Sequence, residues 1–338
     1  MISAGIYSRK AVHRVYWVYS YIFRYMKNTI PVMNKALTFL IFILVLIGCQ
    51  ETATHENKSG NAPFPEVLVH FTPYEHNPVF AGTDTSTWDR KIRERGYILF
   101  ENDVYRMWYT GYNNEESERH LGYAVSEDGI TWKRDSDKPI YDSGWVEDMC
   151  VIKVNDTYYM FAEGRNDIAH MLTSADGIQW KEAGNLNIRK TNGAPIDKGS
   201  FGTPAVWHEN NTWYLFYERG DLGVWLATSP DAKTWTNVQD DPVLAMGPAG
   251  YDRYAVAMDQ VIKYKGLYYG YYHASDTKEW KEWTTNVAVS EDLVHWKKYE
   301  HNPIMKHDRS SGIIVYNGKD YRLYTMHPAV NLFLPSGK

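Results

Sequence analysis

A seven-residue signature, Ser-x-Asp-x-x-x-Trp, occurs four times in this chain, and its spacing constrains the fold more than any other feature. The copies run from Ser126 through Asp128 to Trp132, Ser174 through Asp176 to Trp180, Ser229 through Asp231 to Trp235, and Ser290 through Asp292 to Trp296. Each follows a strand-like run: GYAV, AHMLT, VWLAT or NVAV. The Asp opens a turn, because its carboxylate can accept the amide hydrogens that come next, and the Trp starts another strand. A Pro followed by an apolar residue comes after three of these Trp residues, at Pro139-Ile140, Pro242-Val243 and Pro303-Ile304, and Pro78-Val79 begins the series.

A second element recurs five times. It is an aromatic strand preceded by a turn: Tyr105 to Trp108, Tyr158 to Phe161, Trp213 to Phe216, Tyr268 to Tyr271 and Tyr321 to Tyr324. Each unit therefore reads strand, turn, strand, strand, Asp-turn, strand. Four antiparallel strands in a repeat of about 45–60 residues describe a propeller blade. The expectation is an all-β chain, a single five-bladed β-propeller over residues 65–338. The last unit lacks the signature, so its outer strands are missing, degenerate or supplied by the segment around Val67 to Phe71. No helix of convincing length and no second domain are visible. The regular recurrence of the Asp and Trp residues assigns them to turns and to packing between blades.

Composition agrees with this. Of 338 residues, 27 are Tyr and 13 are Trp, which suits a β-rich fold with an aromatic surface. The formal net charge is −5 and no basic block exists downstream of residue 50, so no nucleic-acid partner is expected.

The N-terminus reads as targeting sequence. Met33-Asn34-Lys35 precedes an apolar run from Ala36 to Ile47, then Gly48-Cys49. A short charged start, an apolar stretch and a small residue before the cut describe a secretory signal. Leu46-Ile47-Gly48-Cys49 resembles a bacterial lipobox. The expectation is a lipidated Cys49, a membrane contact through lipid only, and a place in the cell envelope. A membrane anchor that is never cut is the alternative. Residues 1–48 are then extra sequence plus signal, with Met33 the better start, and residues 49–64 are a polar tether. With Cys49 carrying lipid, Cys150 has no partner. It sits in an apolar strand pattern as an inert thiol.

The polar residues on which the repeats disagree are the candidates for a site, since repeats share what the scaffold needs. In WVEDMCVIKVNDTYYMFAEGR, an antiparallel hairpin brings Glu147, Asp148, Glu163 and Arg165 to one rim. The same rim receives Trp88, Asp89, Arg90, Arg93, Glu94 and Arg95 from blade one. Blade two adds Asp167. Blade three supplies Gly202-Thr203, Glu218, Arg219 and Asp221. Blade four gives Asp259 and His273, and blade five Ser310-Ser311 and His327. A concave, charged, aromatic funnel suits a polyhydroxylated ligand.

VEDMCVIKVNDTYYMFAEG, with the Ser-x-Asp-Gly-x-x-Trp turns, resembles the blade-opening motif of five-bladed propeller glycosidases, the fold of glycoside hydrolase families 32, 43, 117 and 130. The resemblance covers roughly residues 73–328. It implies glycoside hydrolysis by paired carboxyl groups, and places Asp148 where families 32 and 43 keep an essential aspartate. Those families also carry a general acid Glu two residues before a Pro in blade three. Here that place is Gly202-Thr203-Pro204, so the acid has moved, to Glu163 or Glu218, or catalysis is lost. The blade-one base has no clean match. Asp89 is the nearest Asp, while Arg95 aligns with Asp148.

The catalytic candidates are thus Asp148, Glu218, Asp89 and Glu163. The substrate-binding candidates are Glu147, Arg165, Arg219, Asp221, Asp259, His273, Trp88 and Arg90. Each has a structural alternative. Asp148 can hold backbone amides, and Glu163 and Glu218 can pair with Arg165 and Arg219. Asp89 can be merely solvated, Asp259 can join blades, and His273 can be a satisfied core histidine. No dependable metal spacing exists, although His170, His273 and His327 could meet at the channel. No metal and no cofactor are expected. The expected partner is a carbohydrate substrate. A glycan-binding lipoprotein without catalysis and a family 130-like phosphorylase, with a phosphate pocket of Arg and His, are the competing readings.

Overall fold

The computed structural model describes residues 63–336, apart from residues 116 and 280. The signal, Cys49 and almost all of the tether lie outside the described residues. Among those described, no helix is long and apolar enough to cross a membrane, and no group of three or more His, Cys, Asp and Glu is arranged to hold a metal ion.

The chain folds as a five-bladed propeller. After a one-turn helix (Glu66–Val69) and β1 (Phe71–Pro73), blade one is β2 (Lys91–Glu101), β3 (Val104–Tyr112), β4 (His120–Ser126) and β5 (Lys133–Arg134). Blade two is β6 (Glu147–Val154), β7 (Thr157–Gly164), β8 (Ile168–Ser174) and β9 (Lys181–Asn185). A short β10 (Asn187–Arg189) follows. Blade three is β11 (Gly202–Glu209), β12 (Thr212–Glu218), β13 (Gly223–Ser229) and β14 (Thr234–Asn237), with β15 (Leu244–Ala245) beside β13. Blade four is β16 (Ala255–Tyr264), β17 (Leu267–Ser275), β18 (Thr284–Ser290) and β19 (Trp296–Lys298). Blade five is β20 (Gly312–Tyr316), β21 (Tyr321–Thr325) and β22 (Asn331–Pro335). The innermost strands touch in a closed ring, β2 to β6 to β11 to β16 to β20 and back to β2.

The repeated residues act as scaffold. Asp128 Oδ1 accepts the amide hydrogens of Ile130 and Thr131 at 2.8 and 2.7 Å, and Asp176 and Asp292 repeat the pattern. Trp180 and Trp235 are buried between blades, edge-on to Trp108 and Phe161. The apolar residue after each Pro donates its amide hydrogen to the third strand of a blade: Ile140 to Leu121, Val243 to Val224 and Ile304 to Thr285.

Val79 does the same to Val330, beside β22, and this explains the incomplete fifth unit. Its outer strand is β1, paired antiparallel with β22 through Phe71–Pro335, Thr72–Leu334 and Pro73–Phe333. Blade three departs from the expected four antiparallel strands. β10 leaves blade two and pairs in parallel with β14, and β15 adds a two-residue ladder to β13.

Candidate active site

The site depends on an irregularity repeated in the innermost strands. Each of β2, β6, β11 and β16 breaks register near its start, between Arg93 and Tyr97, Glu147 and Cys150, Gly202 and Ala205, and Met258 and Gln260. A bulge adds a residue to one strand and re-aims side chains at the rim. Asp148 and Thr203 sit at the bulges with φ of 44° and 43°, and Ser311 precedes β20 at 56°. Such positive φ is costly for residues other than Gly and gathers where side chains must point somewhere specific.

Opposite the bulges the second strands end. Pairing sets Thr110 against Arg93, Glu163 against Glu147, Glu218 against Gly202 and His273 against Ala257. Glu163, Glu218 and His273 are therefore the same position in three consecutive blades. They converge with Asp148, Asp167 and Asp221 on one cavity of about 170 Å³. Arg93, Trp283, Ser310, Ser311 and His327 complete its far side.

Gly202 determines how two of the acids lie. A Cβ there would stand 2.0 Å from Glu163 Oε2 and 2.8 Å from Glu218 Oε1. The two carboxyls occupy the space that a side chain at 202 would fill. Glu163 Oε2 accepts the Thr203 amide hydrogen at 2.9 Å and the Thr203 hydroxyl at 3.3 Å. Glu218 Oε1 accepts the Gly202 amide hydrogen at 2.9 Å, and Oε2 that of Asp221 at 2.6 Å. Both glutamates are buried. Burial, then Asp148, Glu147 and Glu218, push the Glu163 carboxyl well above its ordinary value. Burial and Asp221 push Glu218 up to about 7, against the two amide donors. Burial, with Asp148 and Asp167, raises Asp221 to about 6, and His273 opposes the rise.

Beneath the cavity, Arg95 closes the channel. It is fully buried, and its guanidinium donates to the carbonyls of Met258 (2.8 Å), Asp259 (2.9 Å), Pro204 (2.7 Å) and Asp148. Its own amide hydrogen reaches Asp148 Oδ1 at 3.2 Å. This cation, two residues before Tyr97 as Asp148 is two before Cys150, ties four blades together. On the other wall, His273 Nδ1 lies 2.7 Å from Asp259 Oδ1. Burial alone would lower the imidazole pKa, but Asp259 first, then Asp221 and Asp148, raise it to about 9. Asp259, wholly buried, also accepts the Gly312 amide hydrogen at 3.3 Å, joining blades four and five.

Several expected residues lie elsewhere. Asp89 does not join the other acids. It is buried against Arg134 at 2.7 Å and the Tyr109 hydroxyl at 3.1 Å, within its own blade. Trp88 stacks on Tyr109 and donates to the Asp137 carbonyl, and Arg90 is exposed away from the cavity. Arg165 pairs with Glu118 over the Trp145 ring, and Arg219 binds loop carbonyls. Neither pairs with the nearby glutamate: Arg219 follows Glu218 directly and leaves the strand on the opposite side, while Arg165 lies just past the end of β7 at Gly164, where the chain has already turned toward Glu118. Glu147 stands behind the cavity, holding Arg93 at 2.9 Å and Trp145 at 2.7 Å, and burial with Asp148 raises it to about 7. His170 is 2.9 Å from Glu182 and does not line the cavity with His273 and His327. Asp167, which the sequence places on the rim without a catalytic or binding role, lines the cavity. Its signal was available: Glu163 to Asp167 parallels Glu218 to Asp221, and both aspartates turn at φ near 55° (55° and 56°). Trp283, in the loop between β17 and β18, carried no such signal.

No protein-family model matches the chain. It is 24% identical over 228 residues to a 1,2-β-oligomannan phosphorylase of Thermoanaerobacter sp. (strain X514), covering 62% of this chain and 73% of that protein. A β-1,2-mannobiose phosphorylase of the same organism is 23% identical over 47% of this chain, which spans only 58% of its length. Among solved structures, a putative glycosidase from Bacteroides thetaiotaomicron matches with a TM-score of 0.66 at 16% identity, over 80% of this chain and 98% of that one. A further match, with a TM-score of 0.65 at 14% identity over 78% and 93% of the chains, comes from work on mannoside phosphorylases of glycoside hydrolase family 130. That work describes glycoside hydrolases in the family that target β-1,2 mannosidic linkages in Candida mannan. The fold is that of these five-bladed propellers.

Proposed function

We propose that this chain, a five-bladed propeller similar to glycosidases and mannoside phosphorylases, is a glycoside hydrolase acting on β-1,2-linked mannosides or close relatives. The observation that carries the reading is the convergence of Asp148, Glu163 and Glu218 on one cavity, with Glu218 poised near neutrality. Glu218 donates its proton to the leaving glycosidic oxygen. Asp148 accepts a proton from the water whose oxygen attacks the anomeric carbon. Glu163 hydrogen-bonds beside them and holds Thr203 at the bulge.

Hydrolysis is favoured over phosphorolysis by charge. Five carboxyl groups line the cavity, against the single guanidinium of Arg93 and the imidazolium of His273. Arg93 Nε already faces Glu147, and His273 faces Asp259. A phosphate dianion meets repulsion there, and a neutral water does not. Cell-envelope placement through a lipidated Cys49 remains part of the proposal, motivated by Leu46-Ile47-Gly48-Cys49.

The test is a screen of β-1,2-mannobiose and longer β-1,2-mannosides with and without inorganic phosphate. Release of free mannose without phosphate is expected, abolished in Asp148→Asn. Turnover that depends on phosphate and yields a sugar phosphate would make the protein a phosphorylase. Binding without turnover would make it a lectin-like propeller.

A further inference from the structure

We infer that residues 197–200 form the binding site for the leaving-group sugar, and that Arg219 is the residue that positions it. This rests on the assignment of Glu218 as acid. An acid protonates the oxygen between the two sugars, so the departing sugar must lie on the acid's side of the cavity. That side is the rim of blade three, where Ser200, Gly220 and Asp221 line the opening.

The segment reaching that rim is unusual for a blade connection. It leaves blade two, runs as β10 along the outer edge of blade three, and doubles back. Thr191 is fixed there by Asp240, through its amide at 3.0 Å and its hydroxyl at 2.8 Å. Lys190 then pairs with Asp197 at 2.8 Å, and the chain returns to the cavity at Ser200. Phe201 rejoins blade two by donating to the Asp167 carbonyl at 2.8 Å. Residues 197–199 are exposed, so their own packing does not hold them at the rim.

Arg219 supplies that hold. Its Nε donates to the Ser200 carbonyl at 3.3 Å, and its Nη2 to the carbonyls of Asp197 at 2.8 Å and Lys198 at 3.3 Å. A planar guanidinium satisfies three carbonyls of a tight loop in one geometry, which a lysine cannot do. Ser200 lines the cavity, and its hydroxyl makes no hydrogen bond among the described residues, which leaves it available to a sugar hydroxyl. Arg219 follows Glu218 directly in β12 and its loop connection, so the acid and the clamp on its leaving-group side share one backbone anchor.

The experiment compares β-1,2-mannotriose with 4-nitrophenyl β-mannoside, whose leaving group has no sugar hydroxyls. Arg219→Ala is expected to raise KM for the trisaccharide about tenfold while kcat/KM for the aryl glycoside stays within about twofold. Arg219→Lys should fall between, and Ser200→Ala should reproduce part of the KM effect. Equal losses on both substrates, or no loss on either, would overturn the subsite and leave the catalytic reading standing. If the wild type cleaves neither substrate, the catalytic reading falls and takes the subsite with it.

Discussion

Glu163 of blade two accepts the amide hydrogen of Thr203 in blade three at 2.9 Å, across the gap left by the missing side chain of Gly202. The contact joins two blades, shapes a bulge and places a carboxyl, all because one residue has no Cβ. A chain with Glu at 202 could not also fit Glu163 and Glu218 as they stand.

Gly202→Ala therefore tests the site directly. The backbone at 202 is not in the left-handed region, and the nearest atoms an alanine methyl meets are those of the two carboxyls. The expected result is a fall in kcat of about a hundredfold, as the acids are displaced by an ångström or more. Stability should drop by no more than about 1–3 kcal/mol, as for other overpacked sites. Kinetics and urea denaturation on the same variant check both.

The pH profile should fall on its basic side near pH 7. Glu218, raised to about 7 by burial and Asp221, must be protonated to act as acid. Glu218→Gln should retain residual activity on 4-nitrophenyl glycosides, which need no acid, and lose that basic limb. A wild-type profile flat to pH 9 would assign the acid elsewhere.

The same shift has a stability consequence with a definite sign. The folded Glu218 binds its proton more tightly than the unfolded one, so folding gains below the unfolded value and loses as pH rises through about 7. The penalty above pH 7 is at most about 3–4 kcal/mol. Glu218→Gln should be more stable than wild type at pH 8.5 and show little or no gain at pH 4, by thermal unfolding at both.

His273 behaves in the same sense, through a charge pair rather than through burial. Its pKa of about 9 in the fold means that the pair with Asp259 stabilises below the unfolded value near 6.5, and that this is lost as pH climbs through 9. Asp259→Asn should cost about 3–5 kcal/mol at pH 6 by leaving a buried cation unpaired. The gap from wild type should narrow by pH 10. Imidazole resonances titrated by NMR should show the His273 pKa falling in the variant.

The scaffold was legible in the sequence because its signals are local and repeated. An Asp two residues after Ser binds its own turn, and a largely buried aromatic strand recurs in every blade. Asp148, Glu163 and Glu218 were legible as a rim because strand pairing alone brings them to one end. Asp89 was not: it precedes β2 and was the nearest Asp rather than an aligned one, so no strand pairing carries it to the rim. Blade one also carries two extra residues in its bulge where blades two and three carry one, which shifts any count along β2 before Tyr97 by one place. The aim of Arg165 and Arg219 was also hidden. Proximity in sequence to a glutamate suggested ion pairs, but Arg219 leaves the strand end on the face opposite Glu218, and Arg165 lies in the turn beyond β7. The role of Arg95 depends on carbonyls from three other blades, which no local pattern encodes.

Closure by β1 bears on how the molecule folds. The Thr72 hydroxyl donates to the Leu334 carbonyl across 262 positions of chain, so the last ladder joins residues from opposite ends of the ring. The other blades pair strands that are neighbours in sequence and can form as they leave the ribosome. The fifth cannot finish until residues 331–335 have been made and have found a strand synthesised long before. Closing so long a loop is slow and entropically opposed, and until it happens β22 presents an unpaired edge. Aggregation during refolding should therefore come from an open ring of nearly complete blades, and should be worsened by substitutions in residues 71–73 that leave the cavity untouched.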